Sequence, residues 1–402
     1  SRFSDGAGFS TARPVSRKAP MSAPLPENPD KFESTRATTP LWRVQSATRL
    51  SRIGFFVALV AIPLLFAVPA WASRDLIQDL IFVFTMLALA QLWNVLAGWG
   101  GLISVGQQAF VGLGAYALFA GVTLAGLDPL LAVLGAGFLA AVVAAVLGPL
   151  MFRLEGPYFA IGSWVVAEAL RMLCAQYKPL GGGTGMSLSG AALANMTGTK
   201  WAAALFGIRP AAARDVVVYW IALLLVLGIT FAIYVFVRSR LGLGLAASRD
   251  NNAAARSVGV RTDRIRYGLW IVVAFATGAV GALVYLQKAR ISPDAAFSVV
   301  DWTAYVLFIV VIGGVRTIEG PVVGVLVLWA LQFNLSAYGS LYLLLLGLLA
   351  ILVMLFMQKG IWGSVAARWE IQLFPVRKLL VRGDNAEAGR GATISKTAVN
   401  VD

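Results

Sequence analysis

Long apolar runs alternate with short polar breaks along most of the chain. Stretches at 53–71, 76–96, 103–126, 129–151, 158–174, 216–237, 267–286, 297–315, 319–336 and 340–358 are almost free of charge. About twenty apolar residues in an α-helix cross a hydrocarbon layer of about 30 Å, and a lipid-embedded helix satisfies its own backbone hydrogen bonds. The pattern predicts an all-α integral membrane protein, a polytopic helix bundle of about ten membrane spans with Gly-rich broken segments. Residues 53–358 form the expected transmembrane domain. Residues 1–52, rich in Ser, Pro, Arg and Ala, read as a disordered basic tail, and 359–402 as a second tail whose end from Gly383 is unstructured.

The first run has a second reading. Ala70-Trp71-Ala72 resembles a signal-peptidase site, and Met21 is a candidate start for a chain that here begins at Ser1. The resulting basic leader would be about thirty residues long, so an uncleaved helix is favoured.

Several runs are interrupted. Gly98, Gly100, Gly101, Gly106, Gly112 and Gly114 crowd the start of the third, and Gly313, Gly314, Gly320, Pro321 and Gly324 the join of the eighth and ninth. Glycine in a membrane helix either lets helices approach closely or opens one where it lines a cavity, and both readings stand. Paired interruptions in the two halves of a transporter point to the solute path, so Gly106, Gly112, Gly114, Gly313, Gly314 and Gly320 are candidate helix-break positions.

Composition sharpens the class. The 402 residues are 59% hydrophobic and 13% charged, where soluble domains carry about 25% charge. Histidine is absent and Cys174 is the single cysteine, which excludes histidine metal sites, a Ser-His-Asp triad and an internal disulfide. No G-x-x-x-x-G-K-[ST] sequence occurs, so the chain has no ATP engine of its own. With no nucleophile–base or metal constellation either, an enzyme is not expected. The run Leu180-Gly181-Gly182-Gly183-Thr184-Gly185-Met186, in the long segment 175–215, lacks the strand and lysine of a phosphate cradle and reads as a flexible turn facing an external partner.

Charge supplies the orientation. Of the net +14, nearly all lies in 1–52 (nine Lys/Arg, four Asp/Glu), 238–266 (seven and two) and 359–402 (seven and four). Basic segments beside apolar spans stay in the cytoplasm, which places both termini and the 238–266 loop inside. An even number of spans separates each pair of these segments, so topology and charge agree. Lys178, Lys200, Arg209, Arg214, Lys288 and Arg290 fall on the opposite side and dilute the bias. A nucleic-acid partner is not expected, because these charges flank membrane spans instead of forming a basic face.

Polar residues inside the runs are the candidate chemistry. Glu168 and Arg171, three apart, share a helix face as either a structural pair or a solute contact. Gln107, Gln108 and Tyr116 offer hydrogen bonds without fixed charge and suit a solute path, or else satisfy backbone freed by the glycines. Asp79 and Asp301 sit near span ends, which leaves a proton-coupled carrier little to work with.

In the 238–266 loop, Asp250 or Asn251 can cap a short helix whose alanines 253–255 leave a low face, with Gly259 at its end. Such a helix suits docking into a partner's groove; an ordinary basic loop is the alternative. The stretch Ala253-Ala254-Ala255-Arg256-Ser257-Val258-Gly259 resembles the E-A-A-x-x-x-G loop of bacterial ABC importer permeases, with alanine for glutamate. The run Arg240-Leu241-Gly242 with Ala246-Ala247-Ser248-Arg249-Asp250-Asn251 resembles the branched-chain amino acid permeases of the LivM type. Three further segments resemble the same group. They are Ser104 to Tyr116 (S-x-G-Q-x-x-F-x-G-x-G-A-Y), Gly156 to Ile161 (G-x-Y-F-A-I, with Glu168 downstream) and Gly313 to Pro321, where Arg316 replaces a usual glycine. The ordered matches cover about residues 100–325.

The resemblance implies a permease subunit of an ATP-driven importer for branched-chain or similar small amino acids, in the bacterial inner membrane. It implies two ABC ATPase subunits, a second related permease and a periplasmic solute-binding protein as partners. No cofactor is implied in this chain, ATP being used by the partners. Arg249, Asp250, Asn251, Ala254, Ala255 and Gly259 would form the ATPase-coupling loop; Gln107, Gln108, Tyr116, Tyr158 and Glu168 would line the solute path. A urea or short-amide permease shares every one of these motifs. A stand-alone secondary carrier or channel is the reading from a different class.

Overall fold

The structure, a computed structural model, describes residues 42–45, 60–250, 255, 257, 259–335, 338–357, 359–369 and 379–382. Two units are distinct, residues 1–45 with 379–402, and residues 46–378. In the first, β1 (Trp42–Gln45) pairs antiparallel with Leu379–Arg382, Trp42 opposite Arg382 and Gln45 opposite Leu379. Trp42–Gln45 thus falls within the tail expected to be disordered, whereas Leu379–Arg382 lies ahead of Gly383, where the unstructured end was expected to begin. Isolated tetrapeptides offered no sequence sign of a pairing more than 330 residues apart.

The second unit is helical. Helix α1 (Val60–Ala70) carries the described part of the first apolar run; residues 53–59 lie outside the described residues. It is followed by α2 (Arg74–Asn94), α3 (Gln107–Thr123), α4 (Pro129–Met151) and α5 (Pro157–Gln176). Short helices α6 (Gly190–Ala194) and α7 (Thr199–Phe206) precede α8 (Pro210–Arg238), α9 (Arg240–Asp250) and α10 (Thr262–Lys288). Last come α11 (Pro293–Ala296), α12 (Tyr305–Gly313), α13 (Gly320–Leu335), α14 (Ser340–Phe356) and α15 (Gly360–Trp369). Starts follow local chemistry. Ser73 accepts from the Leu76 amide at 3.3 Å to cap α2, and Asp128 accepts from Leu130 at 2.8 Å with Pro129 opening α4.

Every apolar run contains a helix, yet among the described residues seven helices are long and apolar enough to cross a membrane. Helix α3, with 17 residues, and α13, with 16, are short for a span, and both begin at a Gly-rich break. α2 and α10 form the centre, each 78% buried over its apolar window. α10 packs chiefly on α4 and α3, α2 on α8, and α12 on α13. Small residues bring these axes together. A Cβ at Gly114 would collide with the Gly278 carbonyl, and one at Gly278 would reach Ala140 Cβ at 2.5 Å.

The run Leu180–Met186, expected to be a flexible turn, is built into an ordered segment, 177–209. Met186–Ser187 (β2) pairs with Arg290–Ile291 (β3), α6 and α7 follow, and Thr197 bonds back to Asp128. Gly181 and Gly185 serve close packing between these pieces, which composition could not separate from flexibility. At the opposite end, the segment expected as the second tail begins with α15. It starts against the α12–α13 turn, where a Cβ on Gly314 would lie 2.8 Å from the Lys359 carbonyl oxygen.

Candidate functional site

Helix α2 ends in a wide turn of π-helix, Val95–Trp99, and an extended stretch then leads to α3. A second π-turn, Val300–Ala304, leads into α12. Between α12 and α13 the chain reverses at Gly314, whose φ of +126° is outside the range of ordinary residues. Gly313 and Gly320 are the last and first residues of their helices, so the expected break stands there. Gly106 immediately precedes α3. Gly112 and Gly114, by contrast, lie inside an unbroken α3. They are contact points for the Phe297 ring and the Gly278 carbonyl, not breaks, because glycine's two uses in membrane helices share one composition.

The reversal is clasped by α2. Gln91 Nε2 donates to the Ile318 carbonyl at 2.6 Å, Asn94 Nδ2 to the Thr317 carbonyl at 2.8 Å, and Asn94 Oδ1 accepts from the Arg316 amide at 2.9 Å. Both side chains are fully buried. Arg316, where the resembling motif has glycine, holds φ +66°. Sequence reasoning missed Gln91 and Asn94; their signal was two amides three residues apart in an otherwise apolar run. It also missed Asp215, wholly buried at the start of α8, which receives Arg74 Nε at 2.7 Å, Gln78 Nε2 at 3.0 Å and Arg214 Nη2 at 3.0 Å.

Three of the five proposed path residues lie on one helix. Gln107 and Gln108 open α3, and Tyr116 lies on the same helix; all three are buried. Gln107 Nε2 donates to the Leu89 carbonyl at 3.0 Å, and Gln108 accepts from the Thr303 hydroxyl. Tyr116 stacks obliquely near Phe297, ring centres 6.1 Å apart. On α10, Thr277 is buried next to Gly278, at the α3 crossing. Gln107 Oε1, Gln108 Nε2, Tyr116 Oη and Thr277 Oγ1 find no hydrogen-bond partner among the described residues. Buried polar atoms are almost always satisfied, so these four side chains on α3 and α10 have unused, uncharged hydrogen-bonding capacity.

Tyr158 and Glu168 are elsewhere. Tyr158 is 70% exposed on α5. Glu168 pairs with Arg171, which donates to it at 2.9 and 2.5 Å and also reaches Asp294 at 2.7 Å.

At the other candidate region, Arg249 and Asp250 are the final residues of α9. Asp250, expected to cap a new helix, instead continues one. Asn251 and Ala254 lie outside the described residues. Ala255 is buried at 3% exposure and its carbonyl accepts from Val260, so it faces inward and cannot offer a low outer face. Gly259 is turned outward with φ +85° and open space where a Cβ would stand. Residues 259–264 line a shallow cleft beside it. Among the described residues no cluster of metal-ligating side chains occurs.

Seven helices among the described residues, each long and apolar enough to cross a membrane, with broken segments and a clasped reversal between them, define a polytopic membrane protein. Residues 76–357 match the family model described as the permease component of branched-chain amino acid transport systems, and the chain belongs to that family. It is similar to the high-affinity branched-chain amino acid transport system permease protein LivM of Escherichia coli K12, 27% identical over 318 residues, covering 76% of this chain and 74% of the relative. The Salmonella typhimurium protein of the same name is 28% identical over the same length and coverage. No solved structure gives a significant match.

Proposed function

We propose that this chain is one of two permease subunits through which an ABC importer carries branched-chain or similar small amino acids into the bacterial cell. Both termini and the 238–266 loop face the cytoplasm in this reading, as their basic character favours. Separate ATPase subunits bind and hydrolyse ATP and are felt through the 249–259 region. Gly259 and the neighbouring cleft now replace Ala255 as the contact to test. The ordered 177–209 segment on the opposite end is where a solute-binding protein would deliver its cargo.

The observation that supports this reading most is the set of buried side chains with unpartnered polar atoms on α3 and α10, Gln107, Gln108, Tyr116 and Thr277. It offers donors and acceptors but no fixed charge, which suits passing a polar solute without trapping it. Alternating access requires that such groups meet water or solute in turn.

Purification from native membranes in mild detergent, with mass spectrometry of the associated chains, tests the assignment. Two P-loop ATPases and a second permease are expected. The chain alone, catalysing uptake into liposomes without ATP, would overturn it. Competition of uptake by leucine and by urea then decides the solute.

A further inference from the structure

We propose that the exposed stripe of α5 formed by Ile161, Trp164, Val165, Glu168 and Met172 is the face on which the second permease chain docks. This rests on the two-permease reading above. α5 is 17% buried over its apolar window and has the lowest mean hydropathy, 1.3, of the seven candidate spans. The stripe positions repeat at helical spacing; Ile161, Trp164, Val165 and Met172 are exposed and Glu168 between them is half-buried.

Exposure alone would say only that lipid covers the helix, and for other helices it does say that. α4 shows Leu131, Leu134, Phe138, Val142 and Val146 to the outside, and its 23 residues include no charged or amide side chain. α14 likewise exposes Leu344, Leu348, Ile351 and Leu355. The α5 stripe differs because an ionised group sits within it. Glu168 is 41% exposed, Arg171 is 27% exposed, and Arg171 bridges to Asp294, which is 85% exposed.

Depth decides against lipid. Glu168 precedes the end of α5 at Gln176 by eight residues, which at 1.5 Å per residue places it about 12 Å inside the helix end. A carboxylate at that depth is strongly disfavoured in contact with acyl chains, and its short side chain has little reach to snorkel. The exposed neighbours Ile161, Trp164, Val165 and Met172 are apolar and unsuited to line a water-filled path, so protein covers this stripe. The three charges sum to −1, so the covering chain is an apolar span that brings a Lys, an Arg or neutral hydrogen-bond donors opposite Glu168. A second chain of permease type, embedded at the same depth, has that character.

Site-specific photo-cross-linking reads the contact. p-Benzoylphenylalanine replaces Trp164 on α5 or, as the control, Phe138 on α4; both are exposed aromatics, so an aromatic replacement leaves the packing in place. Native membranes carrying the full transporter are irradiated and the adducts identified by mass spectrometry. The expected result is an adduct of Trp164→p-benzoylphenylalanine with a second, related permease chain, and lipid adducts alone at 138. Lipid adducts alone at 164, or an adduct only with another copy of this chain, would overturn the assignment. ATPase co-purification from the same membranes reports separately on the importer reading. Its success together with lipid-only labelling at 164 would leave the importer standing and remove the α5 face.

Discussion

Asp128 joins two parts of the molecule with one carboxylate. It caps α4 through the Leu130 amide at 2.8 Å and holds Thr197 by both amide and hydroxyl at 2.9 Å. Partial burial pushes its pKa up, but the hydrogen bonds from Thr197 and Leu130 outweigh that and leave it below the usual carboxylate value. A carboxylate with a lowered folded pKa stabilises the folded state above its unfolded pKa. That contribution disappears as pH falls through the carboxylate range to the folded value. The melting temperature in detergent should therefore drop more on acidification for the wild type than for Asp128→Asn, the two converging at low pH. Parallel pH curves would show that the tether adds nothing.

The same scale shows what a sequence hides. Gln91 and Asn94 were visible as amides in an apolar run, but their carbonyl partners are more than 220 residues away. Asp215 likewise finds Arg74 across 141 residues. Residue type gives hydrogen-bonding capacity; only the fold selects the partner.

At the level of elements, the crossing of α3 on α10 is set by glycine. The Gly114 Cα faces the Gly278 carbonyl so closely that any side chain would clash with backbone, which cannot swing aside. Gly114→Val should separate the two helices and destabilise the protein by at least about 2 kcal/mol, as overpacking does. The readout is a lowered melting temperature in detergent; an unchanged value would mean that the crossing is looser than the structure shows. Gly135, where a Cβ would meet nothing within 4 Å, is the matched control. The helices themselves were legible from hydropathy, since lipid leaves an apolar run few alternatives to a helix. What each glycine does was not. Gly314 reverses the chain while Gly114 packs inside a helix, and both stand in similar Gly-rich company. The 238–266 segment was legible as a basic interruption, but the inward turn of Ala255 depends on packing that no motif encodes.

For the whole molecule, orientation is the property on which the proposed function most depends. Residues 316–318 lie at the end of α2 opposite to Arg74 and Asp215, and Arg266, at the close of the basic segment, comes near Gly101 just beyond that end. If the basic loop is cytoplasmic, a cysteine at position 259 in a Cys174→Ala background should react with a membrane-impermeant maleimide only in inverted vesicles. Equal labelling of intact cells would reverse the topology and, with it, the side on which an ATPase could act. Position 259 suits the probe because its surroundings are open.

One feature of the fold constrains any account of transport. α2 is held at its beginning by Asp215, through Arg74 and Gln78, and at its end by the 316–318 backbone, through Gln91 and Asn94. A rod pinned at both ends can tilt as a whole but cannot bend or slide without breaking buried hydrogen bonds. It therefore serves as the mast of the permease, fixed relative to α8 and the α12–α13 reversal. In the proposed importer, opening and closing then belong to what is rigged around it, the weakly held α5 foremost.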